Sequence, residues 1–176
     1  NIVVGSPIAG RLHPDLEGLI GLFINSLVLR NFPSDQKRFS EFLTEVKKNV
    51  LDAYENQAYQ YDELVEKINL AGGTGRNPLY DVMFVMQNFG MLAVAVPGLK
   101  ITRDVGKNRT AKFDITLYCE EWEDRGNLLF RWEYSTVLFK QETIERFIRC
   151  FKKLLAGIVE NPREKIGRMD ILPDED

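Results

Sequence analysis

The sequence predicts an α+β fold, a mixed sheet with helices packed on it, and three observations carry that expectation. Ile20-Gly21-Leu22-Phe23-Ile24-Asn25-Ser26-Leu27-Val28-Leu29-Arg30 is a nearly continuous apolar run with β-branched and aromatic members, which reads as a strand buried on both faces. Two long stretches, one before residue 60 and one after residue 140, place apolar residues at steps of three and four, the period of an amphipathic helix. Between them, Phe113 to Cys119 and Leu128 to Ser135 alternate about the turn-forming Glu123-Asp124-Arg125-Gly126-Asn127, the signature of an antiparallel hairpin.

Taken in order, Asn1-Ile2-Val3-Val4 reads as a strand already under way, with no methionine before it, so the expectation is a piece of a longer polypeptide. This strand is expected to break at Pro7 and Gly10. Gly5 and Gly10 let the backbone approach another segment closely, so the loop is a candidate lining for a ligand channel. It is not a phosphate-binding loop, because no Gly-Lys-Ser/Thr follows. A short helical turn over Asp15 to Leu19 leads into the apolar run. Side chains alternate along a strand, so Leu22, Ile24, Ser26, Val28 and Arg30 share one face while Phe23, Asn25, Leu27 and Leu29 share the other. Asn25 and Ser26 therefore look in opposite directions. A polar group inside a buried strand costs about 1 to 3 kcal/mol when unpartnered, so each is expected to be tied into the fold or placed at a site.

Beyond the turn at Asn31-Phe32-Pro33-Ser34-Asp35, the apolar residues Phe39, Phe42, Leu43, Val46, Val50, Leu51 and Tyr54 predict a long helix capped by Ser34 or Asp35. Its charged face, Lys37, Glu41, Glu45, Lys48 and Asp52, is assigned to solvent. Asn56 to Gln60 breaks the helix and Tyr61 to Ile68 restarts it. Ala71 to Pro78 is a glycine-rich loop, and Pro78 opens a strand from Leu79 to Gln87. Asn88 to Leu99 is apolar yet bounded by glycine and proline, and reads as a loop lying on other protein. A last helix runs from Gln141 to Val159 with Ile144, Phe147, Ile148, Phe151, Leu154, Leu155 and Ile158 inward, ended by Asn161-Pro162. The predicted order is strand, strand, long helix, short helix, strand, strand, hairpin, helix. Residues 1–173 form the domain, and 174–176 in the acidic tail begin a linker.

At 176 residues the chain is long enough for one core, and 44% hydrophobic with 28% charged residues places it among soluble globular proteins. Its 23 basic residues against 26 acids, spread rather than striped, give no footprint for nucleic acid. No apolar run approaches the roughly 20 residues of a membrane span and no signal peptide is visible, so a cytoplasmic chain without membrane partners is expected. Cys119 and Cys150 give neither a disulfide framework nor a metal spacing and are read as buried reduced thiols. His13, the single histidine, sits in a turn-like segment, excludes a multi-histidine metal site and leaves little material for a nucleophilic triad.

Three motifs then stand in an order that resembles the C-terminal half, or lobe, of a nonribosomal peptide synthetase condensation domain. Gly21-Leu22-Phe23-Ile24-Asn25-Ser26 is similar to that family's Gly-x-Phe-Val-Asn-Thr, with Ser26 in the threonine position. Asn56-Gln57-Ala58-Tyr59-Gln60-Tyr61-Asp62 is similar to Asn-Gln-Asp-Tyr-Pro-Phe-Glu, departing at Ala58, Gln60, Tyr61 and Asp62. Gly75-Arg76-Asn77-Pro78-Leu79 looks like the end of Arg-Asp-x-Ser-Arg-Asn-Pro-Leu, with Gly72-Gly73 in place of the preceding Arg-Asp. Gly5-Ser6-Pro7-Ile8-Ala9-Gly10-Arg11 and Glu133 to Phe139 add to the match, which covers nearly every residue from Asn1 to Pro173.

The resemblance implies one lobe of a two-lobed fold like that of chloramphenicol acetyltransferase, with an active-site channel between the lobes. It implies peptide-bond formation between a donor thioester and an acceptor amine, both held on phosphopantetheine arms of carrier domains, with an adenylation domain adjacent and no cofactor bound by the lobe itself. The family's His-His-x-x-x-Asp-Gly motif belongs to the N-terminal lobe and is missing here, so this fragment holds no catalytic histidine and is expected to be inactive alone. The stretch from Asn88 to Leu99 corresponds, on this resemblance, to a loop flooring the channel. Ser6, Arg11, Arg30, Asn56, Gln57, Tyr61, Arg76 and Asn77 are the motif or channel candidates. Attack on a thioester builds negative charge on its oxygen, and a placed donor stabilises it by about 3 to 4 kcal/mol. Asn25 or Ser26 is the candidate donor, and their opposed directions let one of them reach the channel. Arg76 and Asn77 are assigned chiefly to fixing the loop before the next strand, and Tyr59 and Tyr61 to the core or the lobe interface. Departures in the Asn-Gln motif leave half of an epimerization domain as an alternative, and a non-catalytic, carrier-docking scaffold is a second.

Overall fold

The computed structural model describes residues 1–68, 76–87, 98–99, 110–122 and 127–172. Among them are five strands, β1 (Ile2–Ile8), β2 (Asn25–Asn31), β3 (Val82–Gln87), β4 (Ile115–Trp122) and β5 (Asn127–Tyr134). Three helices accompany them, α1 (Phe39–Glu55), α2 (Tyr61–Ile68) and α3 (Gln141–Glu160), with single 3-10 turns at Pro14–Leu16 and Ile166–Arg168. The strand order is β2-β1-β3-β4-β5. The outer pairs β1/β2 and β4/β5 are antiparallel, and the inner pairs β1/β3 and β3/β4 are parallel. This is the mixed sheet of an α+β domain.

Register fixes the two faces. Gly5 pairs with Val28 and Met83, Met83 with Thr116, and Thr116 with Glu133, so these residues lie on one face. Leu117 pairs with Trp132 and Cys119 with Phe130 on the opposite face. There α3 docks, with the Phe151 ring edge-on to Phe130 at 5.2 Å and to Trp132 at 5.7 Å. Ile144 of α3 and Cys119 are both buried. Burial pushes the Cys119 thiol up from its usual range, so it is an inert core group. Cys150 is half-buried, and both cysteines are free.

The start of α1 is fixed by the end of the chain. Phe39 N–H donates to Glu164 O and Ser40 N–H to Pro162 O, while Ile166 N–H and Gly167 N–H return to Lys37 O and Asp35 O. These bonds override local capping. The cap is Arg38, whose N–H is held by the Glu41 carboxylate at 3.1 Å, and not the expected Ser34 or Asp35. Those two are used in the turn before it, Ser34 O accepting from Lys37 N–H and Asp35 O from Gly167 N–H.

The organising strand also needs correction. It begins at Asn25, and among the described strands it stands at the edge of the sheet, not buried on both faces. Ile20, Leu22 and Ile24, expected inside it, are 105%, 90% and 64% exposed, because the run reaches the sheet only where β1 stops offering partners at Ile8. β1 itself continues through Pro7, in place of the expected break. Pro7 pairs with Ser26 beyond the Gly5↔Met83 contact with β3, at a position where its missing N–H is not required. β3 starts at Val82, not Leu79, because the Leu79 and Tyr80 N–H groups are taken by the Asn77 side chain. The second strand expected between α2 and the hairpin has no counterpart among the described residues. The Ala71–Gly75 part of the glycine-rich loop, the apolar stretch from Asn88 to Pro97, the tip of the hairpin at residues 123–126 and the tail at 173–176 lie outside them.

Tyr80 is buried against the backbone of Gly5, and a Cβ at Gly5 would overlap its ring. Gly5→Ala is therefore expected to destabilise the chain by about 1 to 3 kcal/mol, as overpacking of a filled core does, read as a lower midpoint with an unchanged slope in urea unfolding.

Candidate functional site

The residues that the motifs singled out converge on one side-chain amide. Asn25 opens β2 and is 6% exposed. Its Nδ2 donates to Gln57 O and to Tyr59 O, both at 2.9 Å, and its Oδ1 accepts from Ser26 N–H at 2.8 Å and from Tyr61 N–H at 3.3 Å. The connection between α1 and α2 cannot satisfy these backbone groups by helical bonding, since it is where one helix ends and the next begins. Asn25 supplies the missing partners.

The chain of contacts continues from Tyr61. Its hydroxyl donates to Asn77 Oδ1 at 2.6 Å, and the same oxygen accepts from Leu79 N–H at 3.1 Å and Tyr80 N–H at 3.2 Å. Asn77 thus builds an Asx-type turn that delivers the chain into β3. The Tyr61 ring stands edge-on to Tyr80 at 5.7 Å, and Tyr80 lies 5.4 Å from Phe113. Arg76 fastens the same turn to the start of β4 through Asp114 at 2.8 Å. Three motifs far apart in sequence are one network in space.

Other candidates serve local structure or stand elsewhere. Asn56 Nδ2 bonds Asp52 O at 2.8 Å and closes the end of α1. Arg11 donates to Leu16 O and to Leu19 O and lies over the Phe23 ring at 4.3 Å, so it gathers the segment that precedes β2. Gly10 has a positive φ of 62°, and a Cβ there would overlap Phe23 O, so the close approach expected of this glycine is made to the chain entering β2. Ser6 pairs with Leu27 and so faces away from Ser26. Arg30 is exposed, lies 5.5 Å from the Phe32 ring, and joins Lys37, Glu45, Lys48 and Asp52 around an open groove of about 900 Å³ floored by Val3, Val28, Leu64 and Ile68. Part of the charged face of α1 thus rims a concavity. His13 is exposed at the first 3-10 turn, where its Nδ1 accepts from Asp15 N–H at 3.3 Å.

Ser26 differs from all of these. Pairing with Pro7 and neighbouring Val28 put it on the face that bears Gly5, opposite α3. It is half-buried, and among the described residues nothing bonds its hydroxyl. Gln57 contributes its backbone carbonyl, not its side chain, which a motif alone has no means of telling. Tyr80 and Asp114 carry no signal in the sequence, since each acts through a partner distant along the chain.

Comparison with known proteins covers the whole length of the chain. The family model described as Condensation domain matches residues 1–176. Tyrocidine synthase 3 of Brevibacillus parabrevis is 45% identical over 180 residues, covering 99% of this chain and 3% of that protein. Gramicidin S synthase 2 of Brevibacillus brevis is 40% identical over 178 residues, covering 100% and 4%. The chain thus spans a small part of these relatives. A crystal structure of a four-domain nonribosomal peptide synthetase, holo and bound to AMP and glycine, superposes with a TM-score of 0.83 at 24% identity, covering 98% of this chain and 14% of that one. That likeness fixes the fold.

Burial, with Tyr80 beside it, raises the Tyr61 phenol above its ordinary value near 10, although its bond to Asn77 acts the other way. A raised folded pKa means that the native state holds the proton more firmly than the unfolded chain does. The stabilisation is fully present below about pH 10 and is lost as pH rises through the folded value. Tyr61→Phe is expected to cost about 1 kcal/mol at neutral pH and to flatten this alkaline loss, checked by urea unfolding of both proteins between neutral and strongly alkaline pH.

Proposed function

The chain belongs to the condensation-domain family, and on that premise we propose that it is one lobe of a domain that forms peptide bonds on a nonribosomal peptide synthetase. The amine of an aminoacyl acceptor attacks the carbonyl carbon of a donor thioester. The new C–N bond forms as the C–S bond breaks, the donor arm leaves as a thiol, and the amine's proton goes to that sulfur. Both substrates arrive on phosphopantetheine arms of carrier domains, and this lobe binds no cofactor of its own.

In this reading the lobe supplies one wall of a channel between two lobes. The partner lobe brings the histidine motif, which this sequence lacks. Apolar side chains at Ile20, Leu22 and Ile24, exposed at the entry to β2, fit a surface that another lobe covers. Carrier domains and an adenylation domain are the further partners. This reading places the synthetase in the cytoplasm; no described helix is long and apolar enough to cross a membrane. The observation that carries the proposal is the family match over residues 1–176, end to end.

The test joins this chain to an N-terminal lobe bearing the histidine motif and presents it with aminoacyl-loaded donor and acceptor carriers. Product on the acceptor carrier, read by mass spectrometry, is expected from the joined protein and not from residues 1–176 alone. Carrier binding without any product would replace this reading with a scaffolding role, and inversion of the aminoacyl centre without condensation would favour an epimerization domain.

A further inference from the structure

We infer that residues 161–170 are a strap that sets the position of α1, and that α1 carries this setting to the Asn25 amide at its far end, so that displacing the strap loosens the network there. The coupling is argued from the fold. Its use, as the means by which a domain adjoining the lobe acts on condensation, rests on the reading above.

α1 is held at its ends more than along its length. It is a rod of 17 residues, about 25 Å, and none of its side chains is fully buried. Phe42, Val46 and Val50 on its inner face are half-buried, while Leu43, Leu51 and Tyr54 are exposed. Most helices take their position from an apolar face pressed into a core, and a helix with so little of one belongs to the part of a fold that opens most readily.

Polar clamps do the placing instead. At the first turn, where a helix leaves N–H groups without internal partners, Phe39 N–H and Ser40 N–H donate to Glu164 O and Pro162 O, each at 2.9 Å. Strap N–H groups answer in the other direction, Ile166 to Lys37 O at 2.9 Å and Gly167 to Asp35 O at 3.1 Å. Lys165 pairs with Arg38 in a β-bridge and its Nζ donates to Gln36 Oε1 at 3.0 Å. The strap is fastened in turn to α3 by the Lys153–Asp170 ion pair at 2.8 Å. It therefore ties together two helices seated at opposite ends of the strand order, α1 beside β2 and α3 on β5.

Beyond the other end of α1 the backbone goes straight to Asn25, whose Nδ2 meets Gln57 O and Tyr59 O and whose Oδ1 meets Tyr61 N–H. The first two bonds are 2.9 Å long. An axial shift of α1 by one residue's rise, about 1.5 Å, carries such bonds out of range. A rod clamped at both ends and lightly buried between them transmits a shift of that size, because its own hydrogen bonds keep its length.

Gly167 offers the handle. A Cβ there would stand 2.6 Å from Asp35 Cβ and 3.0 Å from Asp35 Cα, so a side chain at this position lifts the strap from the turn before α1. The experiment compares Gly167→Ala with the wild type in the intact parent synthetase, by hydrogen exchange read peptide by peptide. Exchange is expected to quicken by about tenfold over residues 35–40 and, in the same sample, over residues 24–27 and 57–61. Adding Asp35→Gly, which removes the obstructing Cβ, is expected to restore protection at both ends. Gly157→Ala, where a Cβ meets nothing within 4 Å, should change neither. Single-turnover condensation on loaded carriers is expected to slow by up to about 10²-fold in Gly167→Ala, the cost of a misplacement of about 1 Å, with amino-acid adenylation unchanged. Quicker exchange confined to residues 35–40, or none at all, would overturn the coupling. If Gly167→Ala does not fold, Ile166→Pro takes its place: it deletes the strap N–H that reaches Lys37 O, at the first position of a 3-10 turn, where proline is accommodated. A wild type that makes no product would end the reading of condensation and leave the exchange result to decide the coupling.

Discussion

One buried amide holds the topology together. The turn between α1 and α2 presents carbonyls and N–H groups that neither helix can use, and burying them bare would cost about 1 to 3 kcal/mol apiece. Asn25 satisfies three such groups, at Gln57, Tyr59 and Tyr61, and the N–H of its own neighbour Ser26 as well. Because it sits at the first residue of β2, the same amide decides where that strand begins and where the helical pair crosses it. No other side chain of similar size offers two donors and two acceptors in one plane. Aspartate would keep the acceptors and set its charge against two carbonyls.

From that anchor the network extends by short, directional steps. Tyr61 passes it to Asn77, Asn77 shapes the entry to β3, and Arg76 reaches Asp114 at the head of β4. The strands so joined are the edge strand β2 and the inner strands β3 and β4, which share no hairpin with it. Long-range sheet order of this kind is costly in loop entropy, and specific polar contacts offset part of that cost where apolar contact does not discriminate one register from another.

What is legible in the sequence is whatever depends on near neighbours. Steps of three and four locate α2 and α3 to within a residue or two and the body of α1, though not its start, and alternation locates β4 and β5, since both patterns arise from the geometry of a single element. What is not legible depends on partners remote in the chain. The run from Ile20 to Arg30 looks like an interior strand because hydrophobicity reports that a residue is to be covered, not by what. The cap of α1 moves to Arg38 because residues 162–168 pair with the turn before it, which no local capping preference foresees. At the site, the identities of Asn25, Tyr61 and Asn77 stand out in the motifs, but their being one network does not. Pattern alone leaves Asn25 and Ser26 as alternatives, and the structure separates the two by showing which has its hydrogen bonds already committed.

The outer edge of β2 has a property that reaches beyond the site. Pro7 has no N–H to give, so the Ser26, Val28 and Arg30 backbone groups point away from β1. Such a row would invite a strand from a neighbouring molecule. Here Asn25 occupies the Ser26 N–H at one end, and at the other Asn49 of α1 reaches Arg30 O at 3.4 Å and the Asn31 side chain at 3.1 Å. The two asparagines thus shorten the stretch of free edge that β2 offers to a foreign strand.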